Sequence, residues 1–195
     1  LNLPAKAEES WRALVSVEPG NLDAYLALGR LYYQQKRMDP AIAEAERLVQ
    51  QQPGSAGAHT MLGYLLELQG RTREAQQQYL KALEIDPRSA AAANNLAWIY
   101  ATHGGNLDSA LQLAQTAKAG LPESPEVSDT LGWICYEKGL RDVAVGPLEQ
   151  AVRTAPVKAI YHFHLGMAYL ATNDWAKART SLQQALTLDP NFNGA

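Results

Sequence analysis

The sequence predicts an all-α protein of the α-solenoid class, in which antiparallel helix pairs stack along the chain. Three series of residues recur at steps of 34 or 35 within 195 residues, and Ala, Leu and Gln, which favour helix, are abundant. A period of this length is typical of repeats that each hold one helix pair. The series are Pro19, Pro53, Pro87, Pro122, Pro156 and Pro190; Gly29, Gly63, Ala97, Gly132 and Gly166; and Ala41, Ala75, Ala110, Ala144 and Ala178.

The repeat spanning 159–192 shows how each unit is built. Leu165 and Tyr169 lie four residues apart, which places them on one face of a first helix. The polar segment Thr172-Asn173-Asp174 then predicts a turn that contains an N-cap residue. A second helix follows and ends at Asp189-Pro190, because the residue before proline avoids the helical region.

The same pattern divides the chain into a single array over 1–195. The array holds a partial repeat, 5–21, which is a second helix alone, and the full repeats 22–55, 56–89, 90–124, 125–158 and 159–192. The third full repeat is one residue longer than the others. We expect the extra residue in Thr102-His103-Gly104-Gly105-Asn106, the turn between its helices, where an insertion costs little.

The repeat resembles the tetratricopeptide repeat over nearly the whole chain. The matching residues of the last repeat are Leu165-Gly166, Tyr169, Ala178, Leu182, Ala185 and Pro190. The resemblance implies a right-handed superhelix with a core that is continuous between neighbouring repeats, and a concave groove lined by the first helix of each repeat. The family pattern opens with a large residue, often Trp. At this place the five repeats of this sequence have Tyr25, His59, Ala93, Ser128 and His162. Packing near the starts of the first helices should therefore vary between repeats.

The recurring small residues predict close contact between the two helices of each repeat. Glycine inside a helix costs about 1 kcal/mol relative to alanine, so its recurrence needs a packing reason. We expect the small residues on the first helices to let the second helix of the same repeat approach closely; they are Gly29, Gly63, Ala97, Gly132 and Gly166.

Composition excludes several classes of protein. The net charge is −3, which gives no basic footprint for nucleic acid or an anionic membrane. No apolar run approaches the roughly 20 residues of a membrane-spanning helix. The single cysteine, Cys135, has no partner for an internal disulfide.

No motif of catalysis, cofactor binding or metal binding is found, so we expect no enzyme, no cofactor and no metal. The glycine-rich phosphate loop, His-Glu-x-x-His and Gly-x-Ser-x-Gly are absent from the sequence. His162 and His164 are two residues apart, which points them in different directions on a helix. Cys135 stands where other repeats have tyrosine, which indicates a small buried apolar role.

The resemblance implies that five places of each first helix face the groove. Six of these 25 places hold aromatic residues, where about two would be expected from 15 aromatics in 195 residues. Because Trp and Tyr often anchor interfaces, we expect this groove to bind a protein partner. Carboxylates at Glu67, Glu126, Asp129 and Glu137 would favour a partner of basic character. The predicted partner-binding residues are Arg30, Tyr33, Tyr64, Glu67, Asn94, Trp98, Asp129, Trp133, Tyr136, Phe163 and Met167.

A second interpretation of this surface stays open at the sequence level. Trp98 and Trp133 occupy the same place in successive repeats. In this interpretation they simply pack between adjacent first helices and bind no ligand. The carboxylates Glu126, Asp129 and Glu137 could likewise form a solvated rim without a ligand.

The predicted function is a protein–protein interaction scaffold that binds a peptide or protein segment. The alternative is a regulatory or substrate-docking arm of an enzyme whose catalytic domain lies outside this segment. An RNA-binding helical repeat is disfavoured because it needs a basic groove. We also expect further repeats or another domain on both sides, and self-association through uncapped ends. The segments around Trp98, Trp133 and His164 resemble bacterial tetratricopeptide proteins of the cell envelope, but the compartment is not fixed by the sequence.

Overall fold

A computed structural model describes residues 3–18 and 22–192, and its regular secondary structure there is entirely α-helical. The helices of this described part are α1 Leu3–Val17, α2 Leu22–Gln34, α3 Met38–Gln51, α4 Ala56–Leu68, α5 Thr72–Ile85, α6 Ala90–Thr102, α7 Leu107–Gly120, α8 Pro125–Glu137, α9 Arg141–Thr154, α10 Ala159–Ala171 and α11 Trp175–Leu188. Each predicted full repeat contains two of them, and α1 is the lone helix of the partial repeat.

The chain forms two compact units, Leu1–Asn95 and Leu96–Ala195. In the first unit, α2 packs against α1, α3 and α4, and α4 also packs against α3 and α5. In the second unit, α8 packs against α7, α9 and α10, and α10 also packs against α9 and α11. Short turns join the helices that are consecutive in the chain, so consecutive helices run antiparallel, as the sequence predicts.

The turns inside the repeats confirm the predicted insertion and N-cap. Four residues, 103–106, separate α6 from α7, whereas three separate the helices of the other full repeats. Gly104 adopts φ of 76°, a left-handed conformation that suits glycine, and Asn106 caps α7 by accepting from the backbone N–H groups of Asp108 and Ser109. In the last repeat Asp174 caps α11, accepting from Lys177 N at 3.2 Å.

Three glycines lie where the two helices of a repeat touch, as predicted. A Cβ added at Gly63 would lie 2.6 Å from the ring of Tyr79. At Gly132 it would lie 2.5 Å from Leu148, and at Gly166 it would lie 2.7 Å from Leu182. Such distances are far below van der Waals contact, so in these three repeats the second helix packs directly against a bare backbone.

Gly29 and Ala97 are packed differently, because the second helices of their repeats hold alanine at the contact place. Ala45 occupies the place taken by tyrosine or leucine in three other repeats. Leu65 from the next first helix fills the space instead, and a Cβ at Gly29 would meet it at 2.4 Å. In the second unit Ala97 and Ala114 likewise form a cluster with Ile134, which comes from α8.

Histidines near the starts of two first helices explain part of the predicted variation in packing. His59 Nε2 lies 3.2 Å from the carbonyl oxygen of Pro53, and His162 Nε2 lies 2.9 Å from that of Pro156. In each case the imidazole donates to the carbonyl of the proline six residues earlier. Both histidines are buried, so they join consecutive repeats by a polar contact beneath the surface.

The fourth full repeat has Ser128 at the corresponding place and uses a lysine instead. Lys118 Nζ donates to the carbonyl oxygen of Pro122 at 2.5 Å and to Ser128 Oγ at 2.7 Å. Gln150 completes the group by accepting from Lys118 at 2.7 Å and donating to the same carbonyl at 2.9 Å. Burial lowers the pKa of the Lys118 amine.

Candidate functional site

Aromatic side chains from three helices meet on the second unit and form what we call the aromatic cluster. It consists of Trp98 on α6, Trp133 and Tyr136 on α8, and Phe163 on α10. All four side chains are half-buried, so part of each ring stays at the surface. Each of these residues was predicted to line the groove, and the structure brings them together around one further ring, His164.

The rings of the cluster contact one another closely. Trp133 stacks on His164 with centroids 4.1 Å apart and on Tyr136 with centroids 4.9 Å apart. Trp98 lies 6.0 Å from His164, and Phe163 lies 5.9 Å from it, both in tilted arrangements. The structure therefore combines the two interpretations of the tryptophans, because Trp133 packs between first helices while the cluster keeps an exposed side.

A hydrogen-bonded pair beneath the cluster holds its central ring. His164 Nδ1 lies 2.9 Å from both carboxylate oxygens of Asp129. Asp129 is 5% exposed and His164 is 3% exposed. Burial raises the pKa of the Asp129 carboxyl, and the hydrogen bond from His164 opposes that rise. The carboxylate accepts from Nδ1–H, which fixes both the orientation of the ring and its tautomer.

The position of Asp129 differs from the predicted one. The sequence predicts a groove or rim residue, whereas the structure places Asp129 in a buried position with a partner on the next first helix. We considered His164 only as a neighbour of His162 and missed its role. The signal available was the spacing of 35 residues, close to one repeat, which brings residues of adjacent first helices together.

Acidic and apolar residues flank the cluster on the same helices. Glu126, Asp129, Trp133 and Glu137 follow one another at steps of three or four residues, so they form one stripe along α8. Glu126 and Glu137 are exposed. On α10 Met167 is half-buried, one turn beyond Phe163.

The predicted residues of the first unit lie in less enclosed surroundings. Tyr33 is 54% exposed, and with Lys36, Met38 and Leu68 it lines an open cleft of about 590 Å³. Tyr64 is half-buried. The remaining residues have polar roles or are not described: Glu67 accepts from Tyr79 Oη at 2.8 Å, Asn94 Nδ2 donates to Asn95 Oδ1 at 3.3 Å, and the side chain of Arg30 lies outside the described residues.

A smaller cleft of about 310 Å³ in the second unit occupies the corresponding place in its repeat. It is lined by Tyr136, Glu137, Gly139, Arg141 and Ala171. Each unit thus carries an open cleft beside a tyrosine at the twelfth place of a repeat. Both tyrosines are predicted from the sequence to line the groove, but the clefts beside them are not predicted.

Other kinds of site would need a group of metal ligands, a long apolar helix or a reactive cysteine. Within 3–18 and 22–192, no three His, Cys, Asp or Glu side chains come together as metal ligands would. No helix described there is both long and apolar enough to cross a membrane. Cys135 is 2% exposed, and burial raises the pKa of its thiol, which confirms the predicted buried role.

Comparison with protein-family models identifies the class of this protein. One model of the tetratricopeptide repeat matches residues 1–56 and 60–125, and a second matches 159–192. The chain therefore belongs to the tetratricopeptide repeat family, and membership supports a role as a protein-interaction scaffold. A search of curated protein sequences gave no match.

Three solved structures with similar folds are distant from this chain in sequence. YrrB, described as a tetratricopeptide protein with an unusual peptide-binding site, is 17% identical with a TM-score of 0.64, and 94% of each chain is covered. In the Cut9–Hcn1 hetero-tetramer the match has 17% identity and a TM-score of 0.81, covering 98% of this chain and 38% of the other. PilF of Pseudomonas aeruginosa is 22% identical with a TM-score of 0.68, covering 85% and 75% respectively. These similarities identify the fold, an all-α solenoid.

Proposed function

We propose that this chain is a scaffold whose second unit binds a peptide or protein segment on the aromatic cluster. The observation that carries the proposal is the set of half-exposed rings, Trp98, Trp133, Tyr136 and Phe163, around a fixed imidazole. Aromatic residues dominate binding energy at interfaces because they bury large areas at little cost in conformational entropy. Proteins of this family are generally non-catalytic, which agrees with the lack of catalytic motifs in the sequence.

The cluster is organised before any partner arrives. The hydrogen bonds between Asp129 and His164 fix the ring on which Trp133 stacks. A surface that is already ordered loses less entropy on binding, and more of its contact energy becomes affinity. The exposed carboxylates Glu126 and Glu137 on the same helix favour a segment with basic residues. A peptide-binding site is also stated for YrrB, which shares the fold.

The test uses a phage-displayed library of random 12-residue peptides, selected against the 195-residue chain. Enriched peptides are synthesised, and their affinities are measured by calorimetry for the wild type, Trp98→Ala and Phe163→Ala. We expect each substitution to weaken binding by about 2 kcal/mol, close to thirtyfold, because each removes an anchoring ring. Trp175→Ala is the matched control, because Trp175 is 64% exposed and lies outside the cluster. Its affinity should equal that of the wild type.

Two results would contradict the proposal. One is a library from which no peptide is enriched. The other is a set of peptides that bind Trp98→Ala and Phe163→Ala as tightly as the wild type. Circular dichroism of each variant shows whether a protein that no longer binds the peptides is still folded.

A further inference from the structure

One nitrogen of the buried imidazole of His164 has no hydrogen-bond partner among residues 3–18 and 22–192. Nδ1 is bonded to Asp129, whereas Nε2 makes no hydrogen bond to any residue in the described ranges. Some side-chain oxygen and nitrogen atoms can be fully buried and still lack a hydrogen-bond partner. Within the described ranges, this class contains Oδ1 of Asn94 alone. Nε2 of His164 does not belong to that class, so this atom is not fully buried, although His164 as a whole is 3% exposed.

The tautomer of His164 decides what this nitrogen can bind. A carboxylate only accepts hydrogen bonds, so Nδ1 carries the proton that lies between Asp129 and His164. In the neutral ring Nε2 then presents a lone pair and is an acceptor. A partner group must therefore supply an N–H or O–H donor to this position.

The electrostatic surroundings select among possible donors. An ionised Asp129 beside a neutral imidazole gives the pair a net charge of −1. Burial raises the pKa of Tyr161 on α10, and the carboxylates of Glu126 and Asp129 raise it further. Trp98 and Phe163 flank the imidazole, and aromatic faces attract cations. Lys138, the residue that follows α8, is bonded to Asp108.

We propose that His164, positioned by Asp129, accepts a hydrogen bond at Nε2 from a lysine or arginine side chain of the bound segment. This inference rests on the proposed function and names the chemistry of its ligand. The charged end of the side chain reaches Nε2 between Trp98 and Phe163, and its aliphatic part lies against the rings. Asp129 acts as a positioning residue, since it sets the tautomer without contacting the ligand.

The variant Asp129→Asn provides a sharp test, because an amide can donate to Nδ1. Nδ1 would then become the acceptor, and the proton would move to Nε2, which would turn the site from an acceptor into a donor. The same 12-residue peptide library is selected on the wild type and on Asp129→Asn. We expect wild-type peptides to share a lysine or arginine at one position. Replacing that residue by norleucine should weaken binding to the wild type by at least about tenfold.

Three further measurements separate this role from general electrostatics and from folding. Asp129→Asn should bind the basic peptides at least about tenfold more weakly while keeping its helical circular dichroism. Glu137→Gln removes an exposed charge from the same helix without touching the imidazole, so its loss should be severalfold smaller. Nitrogen NMR of His164 in the wild type should show Nδ1 protonated and Nε2 unprotonated, a measurement that needs no variant.

The outcomes distinguish this inference from the function on which it rests. Enriched peptides without a shared basic residue, or an NMR spectrum with Nε2 protonated, would overturn the role of His164 and leave peptide binding intact. Equal losses in Asp129→Asn and Glu137→Gln would also overturn it, because the charge alone would then account for selectivity. A library that yields no binder overturns both the inference and the proposed function.

Discussion

The imidazole of His162 forms a contact between repeats that can be tested by removing a single side chain. It donates from Nε2 to the carbonyl oxygen of Pro156 at 2.9 Å, and the side chain is buried. We expect His162→Ala to lower the free energy of unfolding by about 1–3 kcal/mol, since it removes a hydrogen bond and buried contacts. Urea denaturation followed by circular dichroism measures the change.

His103→Ala is the control for this prediction. His103 is exposed in the turn after α6, so its replacement should change the free energy of unfolding by less than about 0.5 kcal/mol. Equal effects of the two substitutions would show that the contact with Pro156 contributes nothing to stability.

At the scale of single residues, the sequence predicted which side chains belong to the cluster but not how they are held. The repeat places of Trp98, Trp133 and Phe163 were enough to group them. Asp129 and His164 are 35 residues apart, which is close to one repeat, but this spacing does not by itself distinguish a bonded pair from two separate polar residues. Their contact depends on the stagger between adjacent first helices, which is set by packing rather than by spacing alone.

The contact between α4 and α5 illustrates the forces at the scale of elements. A Cβ at Gly63 would lie 2.6 Å from Cε1 and 2.8 Å from Cδ1 of Tyr79. The Tyr79 ring cannot move easily, because it is fully buried and its hydroxyl is bonded to Glu67 and Asn95. We expect Gly63→Ala to destabilise the protein by about 1–2 kcal/mol, because overpacking outweighs the gain of about 1 kcal/mol in helix propensity.

The matched control is Gly54→Ala in the turn before α4, where an added Cβ meets nothing within 4 Å. Its free energy of unfolding should stay within about 0.5 kcal/mol of the wild type. Thermal and urea unfolding of both variants measure the difference. A Gly63→Ala protein more stable than the wild type would show that the two helices can separate without cost.

The helices themselves were predictable because their signals are local. The period of 34 residues, the turn residues and the proline positions together define where each helix begins and ends. The exchange of packing partners at Gly29 was not predicted, although Ala45 and Leu65 carry it in the sequence. To predict this exchange, one would have to know that Leu65 of the next repeat fills the space that the small side chain of Ala45 leaves beside Gly29. This compensation is visible only in the folded core.

Buried tyrosines link the stability of the whole molecule to alkaline pH. Burial raises the pKa values of Tyr32, Tyr79, Tyr161 and Tyr169 above the ordinary value of about 10. A hydroxyl with a higher pKa in the folded state than in the unfolded state stabilises folding below about pH 10, and this contribution is lost as the pH rises further. We expect the free energy of unfolding to fall steeply above about pH 10. Urea denaturation at a series of pH values measures the slope.

Tyr79→Phe separates ionisation from packing in this prediction. The variant loses the hydrogen bonds to Glu67 and Asn95, so it should be less stable than the wild type by about 1 kcal/mol near pH 7. It also lacks the hydroxyl proton, so its decline above about pH 10 should be shallower by as much as about 1.4 kcal/mol per pH unit. The two stability curves should therefore converge as the pH rises. Parallel curves would mean that ionisation of Tyr79 is not coupled to unfolding and that the alkaline loss arises at other groups.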